Sequence, residues 1–396
     1  MPSMGMLILG SVVAFGLVMS AVMVVMQRRQ LGAAPPVAPR VLPAVSVLKP
    51  MKGADPGLAE NLESFFHLDY PDYEVLLGVD DAADPACEVA AGVIAAHPEV
   101  RSRLIVDARE VGLNPKVNNL ARLLRHARHE VIWISDSNTR VAPGTLREMA
   151  AHLEQPGTGL VSSPFRGVAS AGLGGALEAL QLNTFVMGGV SAAHRLLHEV
   201  CVVGKSMLLR RSTLGALGGF SYLGRFLAED QVCGEEVVRL GRRVVLAGRP
   251  VENVLGPLSV RAFLTRHLRW AKIRRRMNPL GYAGEFLLNP VFIAACGALA
   301  MHTQASLALV LSALFIKSTL DAATERAAGV ARPLPAYPLL TLAKDLLTGL
   351  AWPVPFVSTR LTWRGHHFDI GSRTLLSPVS AAATSVLGPA SAEANG

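Results

Sequence analysis

Met6–Met26 is a run of 21 residues without a single charge, and it limits what this chain can become more than any other stretch. A helix of that length spans a bilayer. Whatever the remaining residues fold into must therefore sit beside a membrane. Gln27-Arg28-Arg29-Gln30 follows the run and no positive charge precedes it, so a permanent anchor is expected rather than a cleaved signal peptide. The positive-inside rule then puts the N-terminus outside and the following residues in the cytoplasm. The composition fits this reading: 51% of residues are hydrophobic, only 17% are charged, and the mean hydropathy is +0.36. The net charge of +8 is assigned to a membrane surface and not to nucleic acid, because aromatic residues are only 6% and the densest basic cluster flanks apolar segments. Arg outnumbers Lys by 31 to 7 and Ala is abundant, which suggests a GC-rich bacterial genome and hence a bacterial inner membrane. The four cysteines show no CxxC spacing, so neither a zinc site nor a disulfide framework is indicated.

After a Pro-rich spacer (31–43), apolar runs of strand type alternate with helical periodicity. Strands are expected at Ala44–Leu48, Tyr73–Val79, Leu104–Val106, Val131–Ile134 and Leu160–Ser162, with helices between them. That alternation predicts an α/β domain over 44–258 with a mostly parallel sheet covered by helices on both faces. Ser170–Val200 reads as long, Gly-rich and weakly amphipathic, and Cys201–Arg211 as a strand pair or a strand and turn. Short strands are expected at Val244–Leu246 and Val251–Val254. Residues 259–285 hold a basic interfacial helix, and 286–358 the C-terminal membrane segments. Phe286–Ile316 is expected as a hairpin of two short membrane helices broken at His302-Thr303-Gln304. Tyr337–Val357 contains Lys344, Asp345, Pro353 and Pro355, so a re-entrant or interfacial segment is expected there. Residues 359–396 form a cytoplasmic tail whose end, Pro378–Gly396, is expected to be disordered.

Four polar stations lie on this scaffold, each with an ordinary structural explanation as well. Asp80, Asp81 and Asp84 follow a strand; they could accept from a nucleobase or ribose, or be turn residues. Lys116 opens a helix beside Asn118, where a cation and free N–H groups suit a diphosphate. Asp136, in Ser135-Asp136-Ser137-Asn138, ends the central strand at the edge where open α/β sheets bind ligands. A carboxylate there can hold Mg²⁺ or Mn²⁺ against a diphosphate. Glu229-Asp230 starts a helix and could supply a general base, or be an exposed acidic helix start.

In this order the stations resemble glycosyltransferase family 2 in the broad sense, in its ceramide glucosyltransferase branch. The resemblance covers roughly Val45 to Pro279 and rests on VSVLKPMKGADPGLAENLESFFHLDYPDYEVLLGV, on NPKVNNL, and on Arg266-His267-Leu268-Arg269-Trp270 as the (Q/R)xxRW motif. It implies a GT-A, Rossmann-like fold in the cytoplasm with N-terminal and C-terminal transmembrane helices. The family's aspartates fall on Asp81, Asp136 and Asp230, and a family histidine ahead of C-V-x-G falls on His194. The implied roles are catalysis for Asp230, Arg266, Arg269 and Trp270; donor binding for Lys49, Asp81, Lys116 and Asp136; acceptor binding for His194; and a divalent metal, Mg²⁺ or Mn²⁺, on Asp136. Asn138 stands where many relatives carry a second Asp, and Lys205 where a neutral residue is expected. The implied reaction moves glucose from UDP-glucose to a lipid hydroxyl, ceramide first, with inversion. A hopanoid or other lipid acceptor, a polysaccharide synthase and a non-catalytic membrane binding protein are the alternatives.

Overall fold

The computed structural model describes residues 3–363 and 366–378. The end expected to be disordered therefore lies outside the described residues beyond Pro378. The central strands are β1 (Val45–Pro50), β2 (Tyr73–Val79), β3 (Ser102–Val106), β4 (Val131–Ile134), β5 (Thr139–Arg140), β6 (Thr158–Ser162), β7 (Phe165–Ala171), β8 (Met207–Arg210), β9 (Arg243–Leu246) and β10 (Val251–Pro257). Seven of them form one sheet in the order β3-β2-β1-β4-β8-β6-β9. The first four are parallel, with Leu48 opposite Leu76 on one side and Ile134 on the other. β8 runs antiparallel to both β4 and β6, so the sheet is mixed from the middle outward. Cys201–Arg211 contributes this one strand after an irregular lead-in.

Strand periodicity explains why both faces are covered. Val45, Val47, Val75, Val131 and Trp133 join a core beneath the helices Leu58–Glu63, Ala86–Ala96 and Thr145–Leu153. Their neighbours Leu48, Leu76, Ile132 and Ile134 join a second core beneath Pro115–His126 and Glu229–Arg239. The near-continuous apolar runs in the sequence are what a strand buried on both faces requires. This is the α/β, Rossmann-like GT-A class, and it delivers Asp136 to the carboxyl end of β4. A smaller sheet, β5-β10-β7, adjoins that edge.

The anchor helix Met4–Leu31 and the helix Gln304–Ala327 are each long and apolar enough to cross a membrane. The bent pair Pro279–Leu288 and Pro290–Met301, angled at 68°, is a third candidate when taken together. The expected hairpin forms. His302 adopts a left-handed φ of 52° and stops one helix, and Thr303 with Ser306 makes a capping box that starts the next. The second leg is not short, however. It runs 24 residues to Ala327, past the Ile316 limit read from hydropathy, because Lys317 and Asp321 pair inside the helix bundle and are not turned to water. Close helix packing relies on small residues: a Cβ on Gly297 would come within 2.3 Å of Leu9 on the anchor. The anchor's polar end is part of the fold as well. Gln27 donates to the Thr324 carbonyl at 3.1 Å, and Gln30 to the Leu246 and Ala247 carbonyls at 2.8 and 3.0 Å.

Two segments depart from the sequence reading. Ser170–Val200 is not one weakly amphipathic stretch but β7's end followed by helices Gly172–Gln181 and Met187–Leu196, joined by a π-helical turn at Leu182–Val186. Asn183 in that turn exchanges hydrogen bonds with Gly167 and donates to Glu325 at 2.9 Å. The segment beyond 359 is not a plain tail. It forms a three-stranded antiparallel sheet of β11 (Arg360–Trp363), β12 (His366–Ile370) and β13 (Leu376–Pro378). The sheet docks on the loop ahead of Glu229: Leu227 N–H donates to the Thr374 carbonyl at 3.0 Å, Ala228 N–H to Thr374 Oγ1 at 3.1 Å, and Leu376 N–H to the Arg225 carbonyl at 2.8 Å.

Candidate active site

Asp136 occupies the end of β4 and keeps 24% of its side chain exposed. Its carboxylate lies between two ammonium groups, Lys116 at 2.8 Å and Lys205 at 3.0 Å. Burial alone would raise its pKa, but the two lysines outweigh that and hold the carboxyl well below its usual range. Lys116 comes from the start of helix Pro115–His126. Asn114 caps that helix through the Lys116 and Val117 N–H groups, which fixes where the lysine begins. Lys116 also pairs with Glu229 at 3.0 Å. Glu229 in turn accepts from Asn114 at 3.1 Å. The Glu229-Asp230 helix start is therefore not an exposed acidic turn; Glu229 is buried and anchors the donor-side lysine.

Asp230 is partly buried beside it. Its Oδ2 accepts from the Gly204 N–H at 2.6 Å and its Oδ1 from the Gln231 N–H at 2.8 Å. Each oxygen keeps lone-pair capacity for a further donor. Gly204 permits this approach: a Cβ there would lie 2.7 Å from Lys116 Nζ and 3.0 Å from Asp230 Oδ2. Burial, and then the Glu229 charge, raise the Asp230 pKa to about 6 against the opposing pull of Lys116. A base that must be ionised loses activity as it protonates, so kcat/KM should fall tenfold per pH unit below about pH 6. A pH–rate profile at saturating donor checks this; a flat rate down to pH 5 contradicts it.

The remaining expected residues fall in several places. Asp81 is exposed just past the end of β2, and its carboxylate accepts from the Ala83 N–H of its own turn at 3.0 Å. Asp80 instead pairs with Arg122 at 2.7 Å, and Asp84 accepts from Gly53 and Ala86 N–H groups, which makes both structural. Lys49 is fully buried, lies 3.7 Å over the Phe65 ring and donates to the Asp136 carbonyl at 2.7 Å. It braces the Asp136 loop from beneath. Arg266 and Arg269, three apart on helix Val260–Met277, share one face. Arg266 meets Glu178 at 3.3 Å, and Trp270 packs edge-on against Phe165. His194 is not brought to Asp230: it lines a separate cavity with Gln30, His152, Arg195 and Leu246, at the far edge of the sheet.

Sequence reasoning missed Glu178 and undervalued Lys205. Glu178 is 0% exposed and also meets His267 Nε2 at 2.9 Å, tying the Arg266–Trp270 helix to Gly172–Gln181. Burial would raise its pKa, and His267 with Arg266 bring it below the ordinary value. A lone Glu in an Ala/Leu/Gly-rich helix was the available signal. Glu178→Ala should cost about 3–5 kcal/mol, the usual effect of removing one partner from a buried ion pair. Thermal unfolding in detergent measures it, and an unchanged midpoint contradicts it.

Lys205 Nζ lies 3.0 Å from Asp136 Oδ2 and 2.6 Å from Asn138 Oδ1. Two hard oxygen donors thus converge on the Lys205 ammonium group, and a divalent ion such as Mg²⁺ or Mn²⁺ would take that position only with the lysine swung away. Among the described residues no group of three or more His, Cys, Asp or Glu side chains could hold a metal unaided. Lys116 and Lys205 together place two ammonium groups at the Asp136 carboxylate, an arrangement suited to a diphosphate.

Several known proteins share this sequence pattern. Ceramide glucosyltransferase 3 of Caenorhabditis elegans is 33% identical over 239 residues, 60% of this chain and 52% of that one. The ceramide glucosyltransferase of Komagataella phaffii is 28% identical over 298 residues, 61% of this chain and 58% of its own length. The chain thus matches a little over half the length of these curated relatives. Among solved structures, the mannosyltransferase PcManGT from Pyrobaculum calidifontis, in complex with GDP-Man and Mn²⁺, superposes with a TM-score of 0.48 at 19% identity, covering 86% of this chain and 99% of that one. S. aureus TarS with UDP-GlcNAc gives 0.38 at 14% identity, covering 82% of this chain and 96% of that one. The sequence profile of glycosyl transferase family 21 matches residues 8–376, anchor, sheet, basic helix and C-terminal sheet together, and the chain belongs to that family.

Proposed function

We propose that this membrane protein transfers glucose from UDP-glucose to the primary hydroxyl of ceramide, with inversion at the sugar C1. The observation that carries the reading is Asp230. It is a partly exposed carboxylate with its pKa raised to about 6, held by backbone N–H groups beside the Lys116–Asp136 pair. Such a carboxylate is poised to take a proton near neutral pH. Asp230 removes the acceptor proton as the oxygen attacks C1 from the face opposite the diphosphate. Lys116, Arg266 and Arg269 stabilise the charge that develops on the departing UDP. Asp81 accepts from the nucleoside. A divalent ion would be held by Asp136 and Asn138 in place of the Lys205 ammonium group and would supply further neutralisation of the diphosphate. The membrane helices keep the site at the level of lipid headgroups, which raises the effective acceptor concentration.

The site faces the cytoplasm in this reading, supported by exposed Arg28 and Arg29 at the end of the anchor and by the arginines of Val260–Met277. A cysteine placed at exposed Arg101 should resist impermeant maleimide in intact cells and react after lysis; labelling of intact cells refutes the orientation. The two ceramide glucosyltransferases named above are eukaryotic; the Arg- and Ala-rich composition is what supports a bacterial inner membrane for this chain. The reaction itself is tested by UDP release from UDP-glucose in purified proteoliposomes with ceramide, with a hopanoid and with no lipid. Ceramide-dependent release is expected. Release only with the hopanoid moves the acceptor assignment, and no release with any lipid contradicts transferase activity.

A further inference from the structure

A cleft lies between the anchor, the basic helix and the C-terminal helices. It does not open on Asp136 or Asp230. One end reaches His267, between Arg266 and Trp270, and the other runs among membrane helices to Ser20 and Met23. Its lining sets charged side chains among apolar ones. Arg274, Lys317 and Lys344 stand against Glu285, Asp321 and Asp345, three charges of each sign. They are paired: Arg274 with Glu285 at 2.8 Å, Lys317 with Asp321, Lys344 with Asp345, and Lys344 with Asp321 at 3.7 Å. Lys317 and Asp321 lie within the candidate span Gln304–Ala327, and ionic groups inside a membrane are expensive and mark functional sites by default.

One atom in the lining is left over. Asp345 is 3% exposed, and its Oδ2 has no hydrogen-bond partner among the described residues. A buried carboxylate oxygen without a donor is strongly unfavourable. The cluster therefore wants a hydrogen-bond donor and has no surplus charge to offer an anion. A phosphate, which brings acceptors and negative charge, is a poor match. A neutral headgroup carrying O–H and amide N–H groups is a good one. Leu280, Leu350 and Val357, near lining residues in sequence, are 87%, 66% and 87% exposed, and Tyr282 stacks on Trp352 beside them, as at a lipid interface.

We propose that this cavity receives the neutral, hydroxyl- and amide-bearing headgroup of the acceptor lipid from the bilayer, with Asp345 accepting a hydrogen bond from it. The proposal rests on the transferase reading above and adds a site to it. His267, hydrogen-bonded to Glu178 at the cavity's inner end, links the docked lipid to the Arg266 side of the active site.

The test uses the full-length wild-type protein in liposomes and two photoreactive lipids carrying the same diazirine chain, a ceramide and a phosphatidic acid. Ceramide adducts are expected on peptides within residues 267–301 and 317–352, chased by excess unlabelled ceramide. Equal labelling of those peptides by phosphatidic acid, or ceramide adducts only elsewhere, overturns the proposal. Asp345→Asn should lower the competable ceramide labelling roughly tenfold, the worth of one hydrogen bond to a charged group; undiminished labelling also overturns it. Labelling needs no turnover, so loss of the transferase reading, seen as absent UDP release, is distinguished from failure of the site. If the variant does not fold, the wild-type adduct map alone decides.

Discussion

Asp230→Asn lowers kcat by roughly 10²–10⁴-fold, the usual share of general acid–base catalysis. The amide keeps the shape of the side chain and an oxygen for the Gly204 N–H, but it cannot take the acceptor proton. Donor affinity changes little, because Lys116, not Asp230, meets Asp136 on the donor side. The acid limb of the pH profile disappears with the carboxylate. A loss confined to the KM for UDP-glucose contradicts the role. The neighbouring Glu229 is no neutral control, although its position in the sequence suggests one: its carboxylate holds Lys116 at 3.0 Å, so Glu229→Gln should weaken donor binding instead. Glu235, later on the same helix and paired with Arg373 at 2.8 Å, is the suitable control, and Glu235→Gln should leave kcat within about twofold, as surface substitutions usually do.

Asp136→Ala abolishes turnover. It removes the charged oxygen pair on which Lys116 and Lys205 converge and leaves the neutral Asn138 amide oxygen beside Lys205. Isothermal titration of UDP should show an affinity that responds to Mn²⁺ in the wild type and no longer does in the variant. Wild-type turnover that continues unchanged in chelator refutes the divalent ion, and the lysines and arginines would then carry the diphosphate charge unaided.

How much of this was legible beforehand depended on the range of the interaction. β1, β2 and β4 announce themselves because strands buried on both faces must be apolar throughout, and Asp136 stands out because it ends such a run. The antiparallel β8 did not, since nothing local in Met207–Arg210 says which neighbour it will pair with. Asp81 and Asp136 draw attention in the sequence because they follow strands. The ammonium pair around Asp136 does not, because Lys116 and Lys205 are 89 residues apart in the chain and meet only when the sheet closes. The burial of Lys49 is equally nonlocal: it depends on Asp136 and Thr139, which lie 87 and 90 residues further along the chain and accept from it. The C-terminal helix was cut short at Ile316 because hydropathy counts Lys317 and Asp321 as polar whether or not they neutralise each other. The small sheet at 360–378 escaped because its strands of three to five residues carry little periodicity.

The central claim is inverting transfer of glucose to a ceramide hydroxyl, and the product's anomeric configuration tests it most directly. Purified protein in proteoliposomes, given UDP-glucose and ceramide, should yield a glycolipid whose anomeric proton shows the large axial–axial coupling of a β-glucoside in proton NMR. An α-linked product, or UDP release that yields free glucose and no glycolipid, contradicts the account.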